Sequence, residues 1–252
     1  MKRLKLKACI TLIITALCIS GLSLGVFARG TEENQESAAG VGGGGGYAVT
    51  GQIPGVGYSA QLYDATNGLP TSEANCVLAA SNGYIWIGGY SGIIRYDGLA
   101  FERITSVEGL TSGRGMFEDR IGRIWVATND NGVVVMHGSE NMHFTKVDGL
   151  PSSSIRTFAE DDDGIIYIGT TMGICWVDSD LVIHNIDDDR VSSEIIINLV
   201  SDTAGNVYGL TKNGGVFRVS TDGIEEYYDS GNLGIPKISC IIADPEDRKS
   251  VV

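Results

Sequence analysis

The chain has 252 residues, and 31 acidic against 18 basic side chains give it a formal net charge of −13. That balance argues against nucleic acid and anionic membrane surfaces as partners. A hydrophobic content of 43% is ample for packed sheets, whereas the 35 glycines disfavour long helices.

Lys2, Arg3, Lys5 and Lys7 precede an uncharged apolar stretch from Ala8 to Ala28, the layout of an export signal with Val26-Phe27-Ala28 as its cleavage site. The stretch is also long enough to span a bilayer. Residues 1–28 are therefore read as a signal peptide or N-terminal membrane anchor, and in either case the chain beyond residue 28 is exported. Residues 29–57 hold the polar run Thr31–Ser37 and the run Val41–Gly46, and are read as a flexible Gly-rich linker. No Lys-Ser/Thr pair stands after those glycines, so they do not make a phosphate loop.

From residue 58 to 247 the chain repeats itself. The turn glycines Gly83, Gly122, Gly164 and Gly205 are 39, 42 and 41 residues apart, and the leading residues Leu69, Leu110, Leu150 and Val191 are 41, 40 and 41 apart. Units lie near 68–108, 109–148, 149–189 and 190–231, and a fifth starts at 232–247. Each reads as four short strands between Gly turns. An inner run (Cys76–Ala79, Ile155–Phe158, Ile195–Val200) precedes a run after the turn glycine (Tyr84–Ile87, Ile165–Ile168). A third comes next (Ile93–Tyr96, Val133–Met136, Ile174–Val177, Val216–Val219), then a trailing run (Phe101–Ile104, Phe144–Val147, Glu225–Tyr228). Four strands per unit of this length predict an all-β fold, a β-propeller of four-stranded antiparallel blades. The expected propeller is incomplete, with four full blades and parts of two. Ser59–Tyr63 reads as an outer strand without a blade of its own, and Arg248–Val252, where a turn Gly is due, reads as a non-native tail.

The lead Gly149-Leu-Pro-Ser-Ser-Ser-Ile155, the turn Glu160-Asp-Asp-Asp-Gly164 and the run Ile166-Tyr-Ile-Gly-Thr170 resemble two-component regulator propeller repeats, the extracytoplasmic sensor blades of bacterial signalling proteins. The resemblance implies an input propeller coupled through a membrane segment to a histidine kinase, a diguanylate cyclase or a similar output, so the C-terminal membrane and output domains would be missing from this chain. Two units depart from the pattern. The fourth has Tyr208-Gly209-Leu210 where others place an apolar residue and then Gly or Ala, and the second is two residues shorter between Leu110 and Gly122, which leaves their turns open.

The chain has no Gly-x-Ser-x-Gly, His-Glu-x-x-His or Walker loop. His137, His143 and His184 sit singly and read as surface or packing residues. Asp161–Gly164 and Asp187–Asp189 lack the spaced ligands of a calcium loop and read as turns, so no metal or cofactor is expected. Cys76, Cys175 and Cys240 lie in apolar runs and read as small buried residues. Trp86, Trp125, Tyr167 and Tyr208 recur at one place and read as blade-to-blade packing rather than a sugar-stacking ladder.

Eight residues before the turn glycines stand Asn75, Arg114, Arg156 and Ile197. In a propeller the first strand of each blade lines the central channel, and ligands sit at its mouth. Asn75, Arg114 and Arg156 are accordingly candidate binding residues for an anionic or carbohydrate ligand. The competing reading pairs the arginines with Glu118 or Glu160. Three functions stay open. One is a non-catalytic sensor of an unknown small molecule or carbohydrate. The others are an exported propeller enzyme such as a polysaccharide or ester-bond lyase, and an exported scaffold or adhesion module.

Overall fold

The computed structural model describes residues 50–52, 59–66, 68–71, 73–234 and 238–243. The stretch read as signal or anchor, most of the linker and the terminal tail lie outside them. The described residues form two units that divide between Leu69 and Pro70.

In the first unit, β1 (Thr50–Gln52) pairs antiparallel with β2 (Ser59–Gln61), Thr50 facing Gln61. The linker reading needs correcting here, because β1 falls inside it. The glycine run ends at Gly46, and the β-branched Thr50 beyond it suits an extended chain.

The second unit is a succession of four four-stranded antiparallel meanders, each pairing its strands in chain order. The first blade contains β3 (Cys76–Ala79), β4 (Ile85–Gly89), β5 (Gly92–Tyr96) and β6 (Phe101–Ile104). The second contains β7 (Gly115–Glu118), β8 (Ile124–Ala127), β9 (Val133–His137) and β10 (Glu140–Phe144). Blade three runs through β11 (Ile155–Glu160), β12 (Ile166–Thr170), β13 (Ile174–Val177) and β14 (Ile183–Asn185). Blade four has β15 (Ile196–Ser201), β16 (Val207–Thr211), β17 (Val216–Ser220) and β18 (Gly223–Tyr228).

A carboxylate organises the turn between first and second strands. Asp119 Oδ1 accepts the N–H groups of Ile121 and Arg123, Asp161 Oδ1 those of Asp163 and Ile165, and Asp202 Oδ1 those of Ala204 and Asn206. These are Asx turns. They leave the glycine after them at positive φ, as at Gly122 (84°) and Gly164 (83°). The fourth blade's turn is thus regular despite its departing sequence.

The core lies between blades. Trp125, Val133 and Val135 of blade two meet Ile155, Phe158 and Ile168 of blade three in one cluster. Tyr167 and Ile174 of blade three meet Leu199, Val207 and Phe217 of blade four in the next. A third cluster joins Trp86 and Ile93 to Val126 and Val134. Covering on both faces explains the unbroken apolar runs: every residue of β8 and of β12 is buried. Main-chain bonds close the seams: Gly113 N–H to Gly89 O at 2.8 Å, Gly132 to Ser153 at 2.8 Å, Ile155 to Thr128 at 3.1 Å and Gly173 to Glu194 at 2.9 Å.

Two boundaries differ from the sequence reading. The outer strand of blade two is β10, not Phe144–Val147, because Gly138 at φ 61° permits a tight hairpin that starts the strand earlier. The chain then leaves extended structure at Thr145, whose hydroxyl and N–H both bond the Asp148 carboxylate around a 3₁₀ turn at Lys146–Asp148. In the fifth unit, a helical turn α1 (Ser230–Leu233) precedes residues 238–243, which form no strand, and Ile241 N–H reaches Asn198 Oδ1 at 3.3 Å. Cys240, read as buried in a strand, is exposed there, whereas Cys175 is buried and Cys76 half-buried.

Candidate ligand-binding site

The inner strands β3, β7, β11 and β15 adjoin one another in chain order. Seam bonds hold them together, so the position eight before each turn glycine is brought side by side from blade to blade. Asn75 gives its N–H to Gly88 O at 2.7 Å, and its side-chain amide lies 3.5 Å from Gly113 O, at the residue preceding Arg114. Arg114 gives its own N–H to Ala127 O at 2.9 Å and exposes its side chain. Arg156 is half-buried at a β-bulge, since the register steps from Ile155–Thr170 to Thr157–Gly169 and leaves it unpaired. Ile197 occupies the same bulge in β15.

Electrostatics ties the two arginines together. Burial, followed by the Arg114 charge, holds the Arg156 guanidinium below its ordinary range. The competing reading, pairing with Glu118 or Glu160, is not what the structure shows. Glu118 accepts the N–H and hydroxyl of Ser81 at 2.7 and 2.6 Å. Glu160 accepts the Arg120 N–H at 2.9 Å and its Nε at 2.7 Å. Both acids bind the turn of the preceding blade. Sequence reasoning missed this coupling, whose signal was a Glu standing four residues before Gly122 and again before Gly164.

The remaining candidates lie elsewhere. His137 is exposed at the end of β9, and His143 on β10 has Nε2 2.6 Å from Asn131 O. His184 on β14 contacts Asp178 Oδ2 at 2.8 Å and stacks on Trp176 with ring centroids 4.0 Å apart. All three histidines therefore sit on third or outer strands, away from the inner-strand row. The Asp161 carboxylate holds its own turn and also accepts Tyr167 Oη at 3.2 Å. Asp188 is bonded to Arg190. Trp86, Trp125 and Tyr167 are buried, in keeping with blade-to-blade packing.

Sheet order and repeating turns define a β-propeller of four-stranded blades. Residues 149–172 match the family model described as Two component regulator propeller. The match spans the lead, β11 and β12 of the third blade. Among solved structures, one described as the extracellular domain of a hybrid two component system from B. thetaiotaomicron is 26% identical, with a TM-score of 0.55 over 64% of this chain. The chain spans only 23% of that structure's chain. A second such extracellular domain from the same organism has a TM-score of 0.57 and 18% identity, covering 69% of this chain and 26% of its own. Virginiamycin B lyase from Staphylococcus aureus has a TM-score of 0.56 at 16% identity, covering 70% of this chain and 61% of that one. These two show the fold alone. No curated protein matches the sequence.

Proposed function

We propose that this chain is part of the exported, ligand-sensing propeller of a bacterial signal-transduction protein, non-catalytic itself, whose ligand biases an output domain outside the residues given. The observation that carries the reading is the regulator-propeller repeat at 149–172 in a chain 26% identical to a two-component system's extracellular domain. The basic stretch leading into Ala8–Ala28 supports export. No helix among the described residues is long and apolar enough to cross a membrane. The lyase alternative shares the fold, but this chain sets its histidines on third and outer strands rather than around the inner row.

The test is a fusion of alkaline phosphatase to the C-terminus of the full chain, since that reporter forms its disulfides and becomes active only outside the cytoplasm. An active fusion is expected, and an inactive, cytoplasmic one overturns the reading. Incubating the purified chain with oligosaccharides and with virginiamycin B should yield no cleavage products. Turnover abolished by changing His137, His143 or His184 would establish the enzyme instead.

A further inference from the structure

The arginines of the described residues fall into two sets. Arg95, Arg120, Arg123, Arg190 and Arg218 each pair with a carboxylate, and Arg103 donates to Pro70 O at 2.6 Å. Arg114 and Arg156 have no ion pair and no side-chain hydrogen bond among the described residues, although the chain carries 31 acidic side chains. They stand 42 residues apart at the same place in successive units, Arg114 immediately before β7 and Arg156 in the adjoining β11. Gly115, next to Arg114, lies against the Arg156 backbone, where a Cβ would sit 3.4 Å from the Arg156 carbonyl oxygen, and the Arg114 charge acts on the Arg156 guanidinium, so an oxyanion bound by both would offset that repulsion. The carboxylates four residues further along cannot do so, because Ser81 and Arg120 hold them against the preceding blade. The bulge at Arg156 re-aims one of the pair. Asn75, immediately before β3, adds a side-chain amide 3.5 Å from Gly113 O.

We propose that Arg114 and Arg156, with Asn75 beside them, form a receptor for an oxyanion, a carboxylate or sulfate group carried on the ligand this propeller senses. The assignment rests on the sensing reading, and it narrows the ligand from any small molecule or carbohydrate to an acidic one.

The test uses the full chain with inorganic sulfate as the probe and chloride at matched ionic strength as the reference, read by thermal unfolding. Sulfate stabilises folded proteins generally by exclusion from their surface, so the informative quantity is the difference between variants. The parent should gain more in Tm from sulfate than Arg114→Gln and Arg156→Gln, and Arg103→Gln should behave as the parent. Equal gains in parent and both site variants overturn the proposal. Folding of the variants is checked in chloride, where each should melt no lower than the parent because a like charge has been removed. A second arm titrates neutral, uronate-containing and sulfated oligosaccharides. Uronate binding alone identifies a carboxylate source and sulfated binding alone a sulfate source, with affinity falling about tenfold in each Gln variant. If neutral oligosaccharides bind and the Gln variants bind them equally well, sensing stands and the oxyanion assignment falls.

Discussion

Ala80 and Trp86 show how a single side chain alters the repeat. In blade two, Asp119 accepts the Trp125 indole N–H at 2.8 Å as well as its own turn amides. In blade one Ala80 takes the place of that Asp, and the Trp86 indole nitrogen is buried without a partner among the described residues. A buried donor of this kind costs about 1–3 kcal/mol. Ala80→Asp should therefore raise stability by about 1 kcal/mol, read as a higher denaturant midpoint at pH 7; a lower midpoint would mean that burying the carboxylate outweighs the bonds it forms. The thiols form a second residue-level test. Burial raises the Cys76 thiol to about 11 and pushes Cys175 higher still, while Cys240 is exposed. A thiol reagent at pH 7.5 should label Cys240 rapidly and Cys175 only on unfolding, as peptide mapping would show. Rapid labelling of Cys175 in the native protein would contradict its place in the core.

At the scale of the strand, the fourth blade's departure has a packing cause. Gly209 faces Phe217 across β16 and β17, where blade three pairs Ile168 with Cys175 and blade one pairs Ile87 with Ile94. A Cβ on Gly209 would lie 2.1 Å from the Phe217 ring. The pair is thus a small-for-large exchange that conserves volume, and Phe217 remains fully buried. Gly209→Ile alone should destabilise by about 3 kcal/mol through overpacking, whereas Gly209→Ile with Phe217→Cys, the pairing of blade three, should recover most of the loss in chemical denaturation. Additive losses would show that the two positions are not coupled. The misplaced strand of blade two has a different origin. Phe144–Val147 looks extended, and Phe144 does end β10, but the reciprocal bonding of Thr145 and Asp148 captures Lys146 and Val147 in a 3₁₀ turn. A local capping preference there overrides β-branched propensity.

For the propeller unit, carboxylates that hold turns set the response to acid. Burial opposes ionisation of Asp119, but bonds from the Trp125 indole and from Arg123 outweigh it and keep the carboxyl below its ordinary range. Asp202 is likewise lowered, with Asn206 bonds overcoming burial. The unfolded chain therefore takes up these protons first as pH falls. The stability they confer is whole above the ordinary Asp range near ~4 and drains as pH drops through the lower folded values. Urea midpoints measured from pH 6 to pH 3 should fall steeply for the parent and less steeply for Asp119→Asn; identical slopes would remove Asp119 from the account.

The sequence alone determined the number of whole blades, the strand count in each, the Asp-containing turns and the recurrence of Asn75, Arg114 and Arg156 eight residues before the turn glycines. All of these come from patterns that close within about forty residues, through turn chemistry and apolar runs. What only the tertiary structure decided is which polar groups meet across a seam. Ser81 finds Glu118 37 residues away and Arg120 finds Glu160 40 residues away, and this leaves the Arg114 and Arg156 side chains without an acidic partner among the described residues, the charge of one acting on the other. Such partners depend on how neighbouring sheets stack, because stacking sets distances between side chains a full repeat apart, and no local preference of the chain records them.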